Sequence, residues 1–365
     1  MFMDLSVIIP ACGIQRYIAA CLRSVTRCPD DGMDMECIVV NDGGKDETAA
    51  IVNRYIERDN RIKLVIMEAG ETTDARNIGI EAASGRYILF LDAADRLCED
   101  AWEQIETAVL EEYADFVAFS SITLRENKRS GTEKLKAQML PISDVISTDE
   151  REARQLMYAD AALDFCRGKL FKSRIIRDNN ILFRTDDIPR TGAFDADQLL
   201  LKSWDGVDFM FVAEYFEHSE SYLLTKAMIL YCPPRRKNAM DCCSITDRVE
   251  LIQLLYDFHV NAVKRYNDSE LMDCMKSYFV GMFIDLFVEY VENYSYRREA
   301  VDTLYGRALG SAFLKKFLDE VDGQGIRAKN RRYEYRLLRL GNAAKLRRYC
   351  AVRTGNVAKI IRYFR

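Results

Sequence analysis

Two aspartates three positions apart, Asp92 and Asp95, close the apolar run Tyr87-Ile88-Leu89-Phe90-Leu91. A run of that length fits one buried strand, and in an open α/β sheet ligands sit where the chain leaves the core at the strands' carboxyl ends. Carboxylates placed there supply the oxygen ligands that a divalent cation prefers, and a cation so held neutralises a bound diphosphate. The plainer reading makes Asp95 the cap of a following helix. A second acid, Asp42, follows the apolar run Cys37-Ile38-Val39-Val40-Asn41 and precedes Gly43-Gly44. Its carboxylate can accept hydrogen bonds from a base N–H or a ribose hydroxyl. The glycines allow a ligand close to the backbone, although on their own they fit an ordinary turn. A third acidic group, Asp195-Ala196-Asp197, opens what reads as a helix with a double acidic cap.

The elements that must hold these groups alternate along the first 120 residues. Leu5-Ser6-Val7-Ile8-Ile9-Pro10 is a strand expected to stop at Pro10, which has no N–H to give. Tyr17 to Val25 repeats apolar residues at helical spacing. Glu36 to Val40 is a second strand, and Asp46 caps a helix running to about Asp59. Ile62 to Ile66 is a third strand, Asp74 to Ala83 a helix, and Tyr87 to Leu91 a fourth strand. Trp102 to Leu110 is helical and Phe116 to Phe119 returns to the sheet. This βαβα order predicts an α/β fold, a Rossmann-like, mostly parallel sheet with helices on both faces. Beyond it, Arg125 to Glu133 reads as a loop or hairpin, and Pro233-Pro234-Arg235-Arg236-Lys237 as a boundary. From Thr246 onward the pattern is helical only, an all-helical C-terminal extension.

Several classes are excluded by what the chain lacks. No GxGxxG follows the first strand and no GxxxxGK[ST] occurs, which argues against a dinucleotide dehydrogenase and a P-loop NTPase. Only two histidines exist, His218 and His259, so a histidine-rich metal site is not expected. The 11 cysteines follow no metal-ligand spacing and read as free buried thiols of a reducing, cytoplasmic protein. The sequence starts without a basic n-region or signal peptide. No apolar run reaches the ~18 residues a membrane span requires, and Tyr278 to Val291, carrying Asp285 and Glu289, reads as a buried amphipathic helix.

Charge is unevenly placed. From Arg327 to Arg365 there are thirteen Lys and Arg against one acid, Glu334, in a chain of net charge −5. A basic tail on an acidic body predicts an anionic partner surface. Leu337, Leu338, Leu340, Leu346, Val352, Ile360, Ile361 and Phe364 interleave with the bases, as in a helix lying on a membrane interface. The expectation is therefore peripheral attachment to the inner face of the plasma membrane through residues 327–365, with no nucleic-acid partner. The plainer alternative is a helical appendage packed on the protein by its apolar stripe.

Taken in order, the segments Leu5 to Pro10, Tyr17-Ile18 with Cys21-Leu22-Arg23-Ser24-Val25, Cys37 to Thr48, Ala75-Arg76-Asn77-Ile78-Gly79-Ile80 and Gly85 to Leu97 resemble the family 2 glycosyltransferases. A weaker echo is Gly168-Lys169-Leu170-Phe171-Lys172 followed by Ile181-Leu182-Phe183. The resemblance implies a GT-A fold and inverting transfer of a sugar from a nucleotide-diphosphate donor to a hydroxyl of a glycan or lipid-linked acceptor. It implies residues 1–120 as the nucleotide-sugar half, 121–235 as the acceptor half and 236–365 as the helical region. By position, Pro10, Ala11, Asp42 and Gly43 would line the nucleotide, Arg76 would approach the base or diphosphate, and Asp92 with Asp95 would hold Mn²⁺ or Mg²⁺. Asp197 would be the general base, with Asp195 the alternative if the register slips by two.

The chain also departs from the family pattern. Cys12-Gly13 stands for the usual Tyr-Asn, Asn41 for the first of two aspartates, and Gly44 for a serine. Asp92-Ala93-Ala94-Asp95 stands where Asp-x-Asp-Asp is common, so Ala94 falls on or beside an expected metal ligand, and Ala196 replaces the acid before the base. A non-catalytic binding or scaffold member of a glycan-assembly complex is the alternative these departures leave open.

Overall fold

The computed structural model describes residues 3–11, 13–30, 32–41, 46–67, 72–112, 114–126, 133–138, 145–147, 149–159, 165–184, 204–232, 245–294, 298–323, 326 and 329–353. The chain divides into two compact units, Met1–Asp187 with Ser203–Asn238, and Ile188–Lys202 with Ala239–Arg365.

The first unit is built on one sheet. Strands β1 (Leu5–Ala11), β2 (Met35–Asn41), β3 (Ile62–Ile66) and β4 (Tyr87–Phe90) lie parallel in the order β3-β2-β1-β4. Helices α1 (Ile18–Val25), α2 (Thr48–Ile56) and α3 (Thr72–Ala82) make the crossovers that parallel neighbours require. Every residue of β1 and β2 is buried, the near-continuous apolar signature of strands covered on both faces. Leu5, Val7 and Ile9 face a core shared with Ile18, Leu22 and Val25 of α1 and with Trp102 and Ile105 of α4 (Ala101–Leu110). Ile8 points the other way, against α3. A Cβ added at Gly79 would stand 2.3 Å from its Cγ2, so the glycine lets α3 lie close on β1.

Strand β1 does not stop at Pro10. It runs to Ala11, paired with Asn41 of β2, while its pairing with β4 ends at Ile8 opposite Phe90. The last bond on that side is from the Leu91 amide to the Ile8 carbonyl. The next donor toward β4 would be residue 10, and proline has none. Pro10 thus ends one ladder rather than the strand, and β1 and β4 part at their carboxyl ends.

The second half of the sheet is mixed. Strand β5 (Arg96–Leu97) pairs antiparallel with β10 (Tyr222–Cys232), and β6 (Phe116–Glu126) runs parallel to β10. Between β4 and β6 lies β9 (Lys169–Lys172), antiparallel to both. The polar Arg125–Glu133 stretch ends β6 and begins β7 (Glu133–Gln138), which pairs back on it as a hairpin partner; β8 (Val145–Ser147) pairs with β10. Helices α5 (Glu150–Ala159), α6 (Ser173–Asp178) and α7 (Trp204–Phe216) complete the unit.

At the amino-terminal ends of the strands a buried carboxylate ties the parallel half together. Glu36, 1% exposed, accepts from Ser6 Oγ at 2.7 Å, from the Ser84 amide at 2.6 Å and from Lys63 Nζ at 2.6 Å. Burial opposes its charge, but those donors outweigh it and bring the pKa from 4.5 down to about 2. Ser6 Oγ also accepts from the Gly85 amide, where a Cβ would stand 2.5 Å from the Ser6 nitrogen. Because the folded pKa lies below the unfolded value, this contribution is complete above pH 4.5 and lost toward pH 2. Roughly 3 kcal/mol is at stake. Urea titrations should show Glu36→Gln less stable than wild type at pH 6, with the gap closing as the pH falls to 3.

The second unit is helical throughout its described part: α8 (Ile245–Lys264), α9 (Ser269–Tyr294), α10 (Arg298–Leu309), α11 (Ala312–Glu320), α12 (Lys329–Arg339) and α13 (Ala343–Arg353). No helix among the described residues is long and apolar enough to cross a membrane. Leu337, Leu338 and Leu346 of the basic tail are buried, so through residues 329–353 the apolar stripe packs inward on other helices instead of lying open to lipid. Glu334, the tail's one acid, is 2% exposed and is held by Arg331 at 2.9 Å, Arg353 at 3.2 Å and the Tyr349 hydroxyl at 2.7 Å. Leu340 and Val352 remain exposed, as do Arg336, Arg339, Lys345 and Arg348; Ile360, Ile361 and Phe364 lie outside the described residues.

Candidate functional site

Where β4 ends, the chain makes a tight turn closed by the Asp95 amide on the Asp92 carbonyl at 2.8 Å, and enters β5 at once. Asp95 is therefore not a helix cap: the next helix begins at Ala101, behind Asp100. The turn leaves the Asp92 side chain 25% exposed and folds Asp95 inward to 2%. Asp95 Oδ2 accepts from the Cys232 thiol at 3.6 Å. The Cys21 thiol reaches the Asp92 carbonyl at 3.8 Å. Burial pushes the Cys21 thiol up and raises Cys232 to about 12, so neither is a nucleophile at neutral pH.

Two guanidiniums converge on these acids. Arg76, carried by α3, is 2% exposed; its Nη1 donates to Asp208 Oδ1 at 2.7 Å and its Nη2 to Asp92 Oδ1 at 3.4 Å. Burial works against its charge, and Asp208 and Asp92 together more than restore it, leaving its pKa raised. Phe183 lies under the guanidinium, 5.1 Å from ring centre to Cζ. That ring is fixed by reciprocal bonds of the Asn77 amide to the Phe183 carbonyl and amide, both 2.9 Å, and by stacking on Phe211 at 4.1 Å. The second guanidinium, Arg167, places Nη1 3.4 Å from Asp92 Oδ2 and 3.7 Å from Asp95 Oδ2.

The fold thus brings Arg76, Asp92 and Asp95 to one place at the carboxyl ends of the parallel strands, with Pro10 and Ala11 at the end of the neighbouring β1. Asp42, Gly43, Asp195 and Asp197 lie outside the described residues. Among the described residues no group of three His, Cys, Asp or Glu side chains could hold a metal. Of the expected metal ligands, the Asp92 side chain is 25% exposed and that of Asp95 is turned into the core at 2%. Asp92 alone fits a cation that takes its remaining ligands from a diphosphate and water. Asp208 and Arg167 carry no motif signal in the sequence. Asp208 sits inside an apolar helical run and Arg167 before Gly168; only the tertiary arrangement sets them against Arg76 and Asp92.

A parallel sheet with charged groups at its tips, continued by a mixed half with inserted antiparallel strands, is a GT-A-like fold. Residues 6–170 match the model of glycosyl transferase family 2, and over that stretch the chain is similar to the family. Glycosyltransferase GlyA of Streptococcus pneumoniae is 27% identical over 180 residues, 47% of this chain and 25% of that protein. An uncharacterised glycosyltransferase, EpsJ of Bacillus subtilis, is 33% identical over 112 residues, 31% of this chain and 32% of EpsJ. The matches thus span a quarter to a third of these relatives' length. A crystal structure of residues 1–349 of Staphylococcus aureus TarS in complex with UDP-GlcNAc superposes with a TM-score of 0.62 at 18% identity, covering 97% of this chain and 92% of that one. That likeness is one of fold.

Proposed function

We propose that the protein is an inverting glycosyltransferase that moves a sugar from a nucleotide-diphosphate donor to a hydroxyl acceptor during assembly of a cell-surface polysaccharide or glycolipid. The observation that carries this reading is the meeting of Arg76 and Asp92 at the parted ends of β1 and β4, inside the family 2 stretch. A crevice at that position of an open sheet is where such folds receive nucleotides. Pro10, Ala11, Asp42 and Gly43 line the nucleoside, and Arg76 and Asp92 face the diphosphate. Asp197, or Asp195 in the shifted register, takes the acceptor's proton as the hydroxyl attacks the anomeric carbon from the face opposite the leaving group. An alcohol needs that positioned carboxylate to be a competent nucleophile at neutral pH. Mn²⁺ or Mg²⁺, when bound at Asp92, supplies positive charge for the departing diphosphate. The cell-surface assignment draws on the relatives: TarS is named a poly(ribitol-phosphate) β-N-acetylglucosaminyltransferase. Exposed bases on α12 and α13 give the protein a means of electrostatic attachment to an anionic membrane.

The test is a thermal-shift panel of UDP, GDP, ADP, CDP and dTDP, with manganese and with EDTA. Binding to the folded form at a hundredfold excess over Kd stabilises by about 2.7 kcal/mol, so one diphosphate should raise the Tm by several degrees. No shift with any of the five at millimolar concentration would defeat the reading.

A further inference from the structure

We infer that Arg167 is a direct ligand of the donor's diphosphate, supplying from the protein charge that family members with fuller acidic motifs leave to their metal. The inference rests on the transferase reading above.

Three observations carry it. First, Arg167 lies against both acids: its Nη1 is 3.4 Å from Asp92 and 3.7 Å from Asp95. Second, it is the more accessible of the two guanidiniums at Asp92. Its contacts with Asp92 and Asp95 are longer than the about 2.7–2.9 Å at which charge-assisted N–H···O bonds settle. Its side chain is 22% exposed against 3% for Arg76, so an incoming anion can reach it. Third, its origin is fixed. Residue 167 forms a bridge with Phe90, and the Gly168 amide donates to the Phe90 carbonyl at 3.3 Å, tying this backbone to the last residue of β4. Gly168 holds φ +67° there, and a Cβ would stand 2.7 Å from Leu230 Cδ1. The Phe165 ring lies against the guanidinium at 4.9 Å. A planar fork anchored at the strand tip suits two phosphate oxygens at once. When the diphosphate takes Arg167, the Asp92 oxygen it leaves is freed toward solvent.

The consequence is a donor site that tolerates loss of metal. Calorimetry would follow the tightest-binding diphosphate of the five above, with its parent nucleoside as control, on wild type, Arg167→Gln and Arg167→Lys. Each protein is measured in manganese and in EDTA, and its Tm is recorded. Wild type should lose less than about tenfold in affinity on going to EDTA. In EDTA, Arg167→Gln should bind the diphosphate about ten- to a hundredfold more weakly, the range for one charged hydrogen-bonding partner. Its affinity for the nucleoside should be unchanged, and Arg167→Lys should fall between. The glutamine variant should become strongly manganese-dependent. Diphosphate affinity in Arg167→Gln equal to wild type, at unchanged Tm, would overturn the role of Arg167 and leave the transferase reading standing. Equal losses for diphosphate and nucleoside would also overturn it, marking a structural effect. Failure of wild type to bind any of the five would remove both.

Discussion

Asp197→Asn is expected to lower sugar transfer by about 10²- to 10⁴-fold, the usual worth of a positioned general base, while nucleoside-diphosphate binding stays within twofold of wild type. The amide keeps the volume and one acceptor oxygen of the carboxylate but cannot take a proton at neutral pH. The donor's diphosphate is expected to rest on Arg76, Asp92 and Arg167, not on residue 197, so only the chemical step should suffer. Asp195→Asn, made in parallel, should cost less than tenfold. The measurement is acceptor-dependent release of nucleoside diphosphate from the sugar donor, with affinity followed separately by calorimetry. Activity surviving in Asp197→Asn and collapsing in Asp195→Asn would move the base by two residues. Survival in both would remove the acidic pair from the mechanism.

The unequal legibility of the two halves of the site has a physical cause. Strands β1 to β4 are local, fully buried and joined by helices, so their apolar runs and the acids that end them can be read directly from spacing. Strand β1 runs one residue past its expected stop at Pro10, because a proline removes a donor on only one side of a strand. Pro10 ends only the ladder with β4, while pairing with β2 continues to Ala11. Asp92 and Asp95 look equivalent in sequence, yet the turn between β4 and β5 sends one to solvent and one into the core. No periodicity encodes that difference. Arg167 and Asp208 are further from reach: both meet Arg76 or Asp92 only because β9 is inserted beside β4 and α7 closes over it, contacts separated by 75 to 132 residues in the chain. The tail is legible in composition only. Its basic, apolar-striped composition is legible, but composition does not say whether the stripe meets lipid or protein, and Leu338 and Leu346 answer for protein.

Asp208→Ala is expected to destabilise the first unit by about 3–5 kcal/mol, the cost of leaving one member of a buried ion pair uncompensated. Asp208 is 2% exposed; its Oδ1 accepts from Arg76 Nη1 at 2.7 Å and its Oδ2 from the Cys166 amide at 3.0 Å. Alanine removes both acceptors, while the Arg76 guanidinium keeps its contact with Asp92 at 3.4 Å. Asparagine at 208 keeps an acceptor and should cost less. Arg76→Met in the Asp208→Ala background should recover part of the loss, because the stranded charge is then gone. Urea unfolding of the three variants and the double mutant measures the coupling. The same pair explains why Arg76 is a poor candidate for moving onto a ligand: following a phosphate would take the guanidinium away from a carboxylate buried in the core. Arg76 is therefore expected to meet the diphosphate in place, and an Asp208→Ala protein within 1 kcal/mol of wild type would mean that Arg76 is less firmly committed to Asp208 than its 2.7 Å contact indicates.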